Sequence, residues 1–287
     1  MAGFFGLFNY EKEGPGIAKD APKKKTFIVF FETFFRNFWK FITINLVYSL
    51  ISIPLVTNGF ANVGVTNVAR NTARDKHSFG LSDFFETIKK NFKQSLIAGI
   101  INAVVYAFLI FDIWFFFNSE GAFATVGLGF SFSLLLTFIM MGYYMWTLMI
   151  TFKYNLKQIY KNSFKFVFIN FKFSFLCLFI NVLLLALNIA IVLMTNSYLA
   201  ILIELLIFAL VYPCFNGLLV QYCTFPSIKK FIIDPYYAEH PDEDIEKRKN
   251  LGLEIEENKP QEEPIFSEEI VEEVAEEEQD DGVIFED

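Results

Sequence analysis

Two kinds of apolar stretch alternate along this chain. Short basic stretches carry apolar residues at helical spacing, and each runs into a longer stretch almost free of charge. In residues 26–40, Glu32, Arg36 and Lys40 fall four apart on one face, with Thr33 and Asn37 beside them. Phe27, Phe30, Phe31, Phe34, Phe35 and Phe38 cover the rest, which predicts a helix lying in the headgroup plane, aromatic face down. Residues 41–56 form a first apolar span broken by Pro54. Residues 58–69 are rich in Gly, Ala, Asn and Thr, which lets helices approach closely and bond to one another. They predict a short second helix packed inside the bundle, with a re-entrant segment as the alternative.

Residues 70–93 read as a basic linker holding a second surface helix. Ser82 is its expected N-cap, Asp83 and Glu86 suit its positive end, and Phe84, Ile88 and Phe92 form its apolar stripe. Spans three and four cover about residues 94–117 and 122–150. A third surface segment, residues 153–170, carries Lys153, Lys157, Lys161 and Lys165 at four-residue spacing. Spans five and six cover about residues 173–194 and 198–225, the last containing Pro213.

The alternation is a repeat. Asn91-Phe92-Lys93-Gln94-Ser95-Leu96 recurs 79 residues later as Asn170-Phe171-Lys172-Phe173-Ser174-Phe175, with a looser copy at Arg36-Asn37-Phe38-Trp39-Lys40. The expected fold is therefore an all-α integral membrane protein of about six transmembrane helices. They form three parallel hairpin repeats, each preceded by an interfacial amphipathic helix.

Charge sets the expected orientation. Residues 1–241 hold 20 Lys and Arg, none of them in the turns at 57–60, 118–121 and 196–197. Positive charge stays on the cytoplasmic side, which places both termini there. The overall net charge of −8 conceals a tail: residues 242–287 hold 20 acidic and 4 basic residues. The expected domains are a polar N-terminus (1–25), a membrane domain (26–233) and an acidic disordered cytoplasmic tail (234–287). The basic residues flank apolar spans, so the pattern points to membrane lipid and not to nucleic acid.

Few residues suggest chemistry. Asp112 and Glu204 are the acids within spans, and an intramembrane acid is a candidate proton or cation site. Asn45, Asn102 and Asn181 recur near the ends of their spans as candidate interhelical hydrogen-bonding groups. The four lysines of residues 153–165 are a candidate partner or lipid surface. The Pro54 and Pro213 regions read as helix kinks, with broken helices that frame a substrate site as the alternative. Cys177, Cys214 and Cys223 lie in apolar runs as buried thiols, and His77 and His240 are too isolated for a metal site. With no Gly-rich phosphate loop, GxSxG or HExxH, the sequence predicts no enzyme, no cofactor and no metal.

The order of features resembles the YesL-like family of bacterial membrane proteins. The resemblance rests on Phe8-Asn9-Tyr10, on Gly14-Pro15-Gly16-Ile17-Ala18-Lys19-Asp20-Ala21-Pro22, and on Phe35-Arg36-Asn37-Phe38-Trp39-Lys40. It continues through Asn45-Leu46, Ile53-Pro54-Leu55-Val56-Thr57 and Lys90-Asn91-Phe92-Lys93-Gln94-Ser95. The family usually carries Gly-Pro after the Pro-Leu-Val-Thr stretch, where this chain has Asn58-Gly59-Phe60. The resemblance implies a plasma membrane protein of Gram-positive type, associated with carbohydrate uptake alongside ABC importers. The expected function is a non-enzymatic accessory or scaffold subunit of such an importer. No loop resembles the Glu-Ala-Ala coupling motif, so a permease is not expected. The alternative is a small-solute secondary transporter using Asp112 and Glu204.

Overall fold

The computed structural model describes residues 26–76, 78–195 and 197–239. The polar N-terminus, His77, Asn196, His240 and the acidic tail lie outside the described residues. Helices α1 (Thr26–Arg36) and α2 (Phe38–Ser52) lead through a 3-10 turn (Leu55–Thr57) into α3 (Asn58–Ala73). Helix α4 (Leu81–Lys90) leads into the hairpin α5 (Phe92–Phe117) and α6 (Ala122–Thr151). Helix α7 (Leu156–Ile169) leads into the hairpin α8 (Phe171–Met194) and α9 (Tyr198–Ile228), extended by a π-helical segment (Lys229–Ile233) and α10 (Asp234–Glu239). Residues 234–239, the first six of the expected tail, are thus helical.

The three sequence copies fold alike locally. Each short helix ends at an asparagine that also opens a longer helix, and Asn37, Asn91 and Asn170 adopt closely similar backbone angles (φ −105°, −107°, −112°). Asn37 Nδ2 donates to the Thr33 carbonyl at 2.9 Å and Asn91 Nδ2 to that of Thr87 at 3.1 Å, four residues back in both cases. Both carbonyls also accept the backbone N–H of the same asparagine, so the side chain adds a second donor at the helix end. The first copy breaks at Asn37, so its surface helix is shorter than residues 26–40.

Four helices, α5, α6, α8 and α9, are long and apolar enough to cross a membrane. Helix α2 is apolar but has 15 residues. At 1.5 Å per residue it spans about 22 Å, less than a hydrocarbon core of about 30 Å. Helix α3 is short and the most enclosed element, packing against α2, α4, α5, α6 and α9. Glycines permit this. A Cβ on Gly59 would meet the Ser95 carbonyl and, at 3.1 Å, Gly99 Cα of α5, while one on Gly217 of α9 would meet Val65 of α3 at 2.9 Å. Helix α3 continues through Ala73, four residues beyond the expected helix, and so carries Arg70 into the bundle.

The packed core lies at the end of the bundle where the short basic helices gather. Phe41, Ile44, Val63, Val68, Phe84, Tyr144, Leu148, Ile159 and Leu218 are all almost fully buried there. Away from that end, the hairpins expose Phe108, Phe111, Trp114, Leu183, Leu187, Leu202 and Leu206. Apolar surface that extensive needs a non-aqueous surrounding, as a membrane supplies.

Three local expectations change. Helix α4 starts one residue before Ser82, after Gly80 at φ +65°, and it is Asp83 Oδ2 that accepts the Phe79 N–H at 3.0 Å. Asn155 caps α7 in a reciprocal capping box with Gln158, so Lys153 lies in the preceding loop and only Lys157, Lys161 and Lys165 share the helix. Pro54 ends in a break, with α2 stopping at Ser52, whereas α9 runs unbroken through Pro213.

Candidate functional site

The three span asparagines all bond to other helices. Asn45 is fully buried against α9. Its Nδ2 donates to the carbonyls of Leu210 (2.7 Å) and Val211 (3.2 Å), and its Oδ1 accepts the Cys214 N–H (2.9 Å). Asn102 Oδ1 accepts the Tyr160 hydroxyl of α7 at 2.8 Å. Asn181 Oδ1 accepts the Tyr212 hydroxyl of α9 at 2.7 Å, and its Nδ2 donates to the Cys177 carbonyl at 2.9 Å. Each such bond contributes about 0.6–2 kcal/mol within a membrane.

Each of the two acids is held within its own hairpin. Asp112 accepts a hydrogen bond from Ser131 of α6. Glu204 Oε1 accepts from Asn188 Nδ2 of α8 at 3.0 Å, while its Oε2 is enclosed and unbonded. The bonds tie each acid to a separate hairpin and form no link between Asp112 and Glu204. The three cysteines are buried and free. Among the described residues no cluster of His, Cys, Asp and Glu has the make-up of a metal site.

The outward face of α7 is basic and aromatic. Lys157 and Lys161 are exposed, Lys165 is half-buried, and Phe164 and Phe168 stand among them with about half their surface exposed. The opposite face buries Ile159, Ser163, Phe166 and Val167. Exposed lysines interleaved with phenylalanines suit a surface that meets both charge and an apolar phase.

A polar cluster that the sequence reading did not single out joins α3, α6 and α9. Arg70 Nη1 donates to the Ile150 carbonyl (3.1 Å) and Thr151 Oγ1 (2.9 Å), and its Nη2 donates to Asn67 Oδ1 (3.0 Å). Asn67 Nδ2 in turn donates to Thr87 of α4 at 2.6 Å. One turn further, the Arg74 guanidinium lies 3.6 Å from the centre of the Phe225 ring. Arginine keeps its charge in proteins, so both are cations. The available signal was the pair Arg70 and Arg74, four apart at the end of a stretch rich in Gly, Ala, Asn and Thr.

The family described as "Protein of unknown function, DUF624" matches residues 41–113, about a quarter of the chain. YesL belongs to that family, so the match carries the coarse part of the resemblance read from the sequence. Neither a curated protein nor a solved structure matches.

Proposed function

We propose that this chain is a non-enzymatic plasma-membrane protein that serves as an accessory or scaffold subunit of a carbohydrate ABC importer. In this reading it crosses the membrane six times as three parallel hairpins, with the short pair α2 and α3 as the first hairpin and both termini in the cytoplasm. The resemblance supplies the importer. The observation that carries the scaffold role is the outward face of α7, where Lys157, Lys161, Phe164 and Phe168 are presented at the basic end of the bundle. The span asparagines add support, because Asn45, Asn102 and Asn181 are engaged in holding helices together. Anionic lipid is the competing occupant of the α7 face, at about 1 kcal/mol per lysine. Purification from native membranes in mild detergent, with the retained proteins identified, tests the reading. Importer subunits are expected, and their consistent absence contradicts it.

One observation favours the alternative of a secondary transporter. Glu204 Oε2 is enclosed between apolar helices with no donor, a position that a coupling proton or cation would fill. Vesicles containing the protein are then expected to show solute-dependent proton or cation flux. Replacing Asp112 and Glu204 with Asn and Gln is expected to abolish it. Equal flux in that variant rejects the role of the two acids.

A further inference from the structure

Arg70 on α3 and Arg74 at its C-cap lie one turn apart and extend toward the ends of α6 and α9. Among the described residues neither has a carboxylate partner. Of the acids near that end of the bundle, Asp75 pairs with Arg36, Asp83 accepts the Phe79 N–H, and Glu86 pairs with Lys90. The hydrogen-bonding capacity of the pair is also incomplete. Arg70 Nε is enclosed without an acceptor, and so are Nε and Nη2 of Arg74. Buried charge without a counter-charge is strongly unfavourable, and enclosed N–H groups without acceptors add to that cost. The Phe225 face offsets only part of it.

The orphaned donors have a specific shape. Nε and Nη2 form one edge of the guanidinium fork, which matches two oxygens of a single anion. Arg74 as a whole is half-buried, so the site lies at the surface of the bundle. Exposed Lys229 and Lys230 follow α9 and raise the positive potential around it. We infer that Arg74, supported by Arg70, binds a phosphate group at the basic end of the bundle. The group comes either from a phospholipid headgroup or from free phosphate or a phosphomonoester. Phosphate fits better than a halide because the fork requires two acceptor oxygens.

The test uses the full chain in alkyl maltoside micelles, which carry no phosphate, with thermal unfolding as the readout. One arm titrates inorganic phosphate against chloride at constant ionic strength. The other adds phosphatidic acid to the micelles. At least one arm is expected to raise the unfolding midpoint by several degrees. Stabilisation by inorganic phosphate in lipid-free micelles assigns the free anion, and stabilisation by phosphatidic acid alone assigns the headgroup. Arg74→Gln is expected to lose the response and Arg36→Gln, at an exposed pair, to keep it. Should Arg74→Gln not fold, Arg74→Lys keeps the charge but not the fork, and a weakened response is expected. No response in either arm, or an equal response in the Arg74 variants, overturns the proposal. It is also overturned if deletion of residues 240–287 destabilises the wild type and leaves Arg74→Gln unaffected, since the tail would then be the counter-charge.

Discussion

Asn45 bridges the backbone of α9 at the turn that Pro213 opens. Proline has no N–H to offer the carbonyl four residues back, here that of Ala209, and its ring crowds that turn. Ser49 Oγ, one turn along α2 from Asn45, approaches the Ala209 carbonyl at 3.4 Å. The Asn45 amide takes up the Leu210 carbonyl and the Cys214 N–H on either side. Helix α9 therefore stays helical through its proline because α2 supplies the missing partners.

This pairing predicts coupled mutational effects. Asn45→Ala is expected to destabilise the protein by about 1–3 kcal/mol, because it strands buried backbone groups. In a Pro213→Ala background, α9 recovers its own ladder at that turn and the same substitution is expected to cost at least about 1 kcal/mol less. A double-mutant cycle by thermal or denaturant unfolding measures the difference. Strictly additive costs would show that the two residues act independently.

Part of this was legible from sequence. Asn45 stood out as polar in an apolar run, and Pro213 as a proline in another. That they meet depends on the packing of α2 against α9, across 168 residues of chain, which no local pattern encodes. The asparagine junctions were readable because they recur. The Arg70–Arg74 cluster was obscured because a helix boundary placed at residue 69 turned a packed pair into linker residues. The start of α7 was missed for a related reason, since four-residue lysine spacing continues through a cap that only the Asn155 geometry reveals.

Glycine substitutions are expected to separate close packing from lipid exposure. Gly59→Ala drives a methyl group into the Ser95 carbonyl of α5, and overpacking of this kind costs about 1–3 kcal/mol. A Cβ at Gly129 meets nothing within 4 Å, so Gly129→Ala is expected to be neutral or to stabilise by up to about 1 kcal/mol. Unfolding midpoints of the two variants provide the check. Equal effects would mean that α3 and α5 do not approach as closely as the structure has them.

The proposed topology rests on the distribution of charge. A cysteine placed at Ser119, in the turn between α5 and α6, is expected to react with an impermeant thiol reagent on intact cells. A cysteine at Lys161 on α7 is expected to react only after permeabilisation. Labelling at position 161 from outside would place the basic end on the wrong side of the membrane.

The most direct measurement for a scaffold role is co-purification after the basic face is neutralised. Lys153, Lys157, Lys161 and Lys165 are all replaced by Gln, and the variant is confirmed to insert and to unfold at a midpoint close to the wild type. The account predicts that importer subunits retained by the wild type are lost from the variant in native membranes of unchanged lipid composition. Undiminished recovery of every partner by a folded variant would contradict it and leave anionic lipid as the occupant of that face.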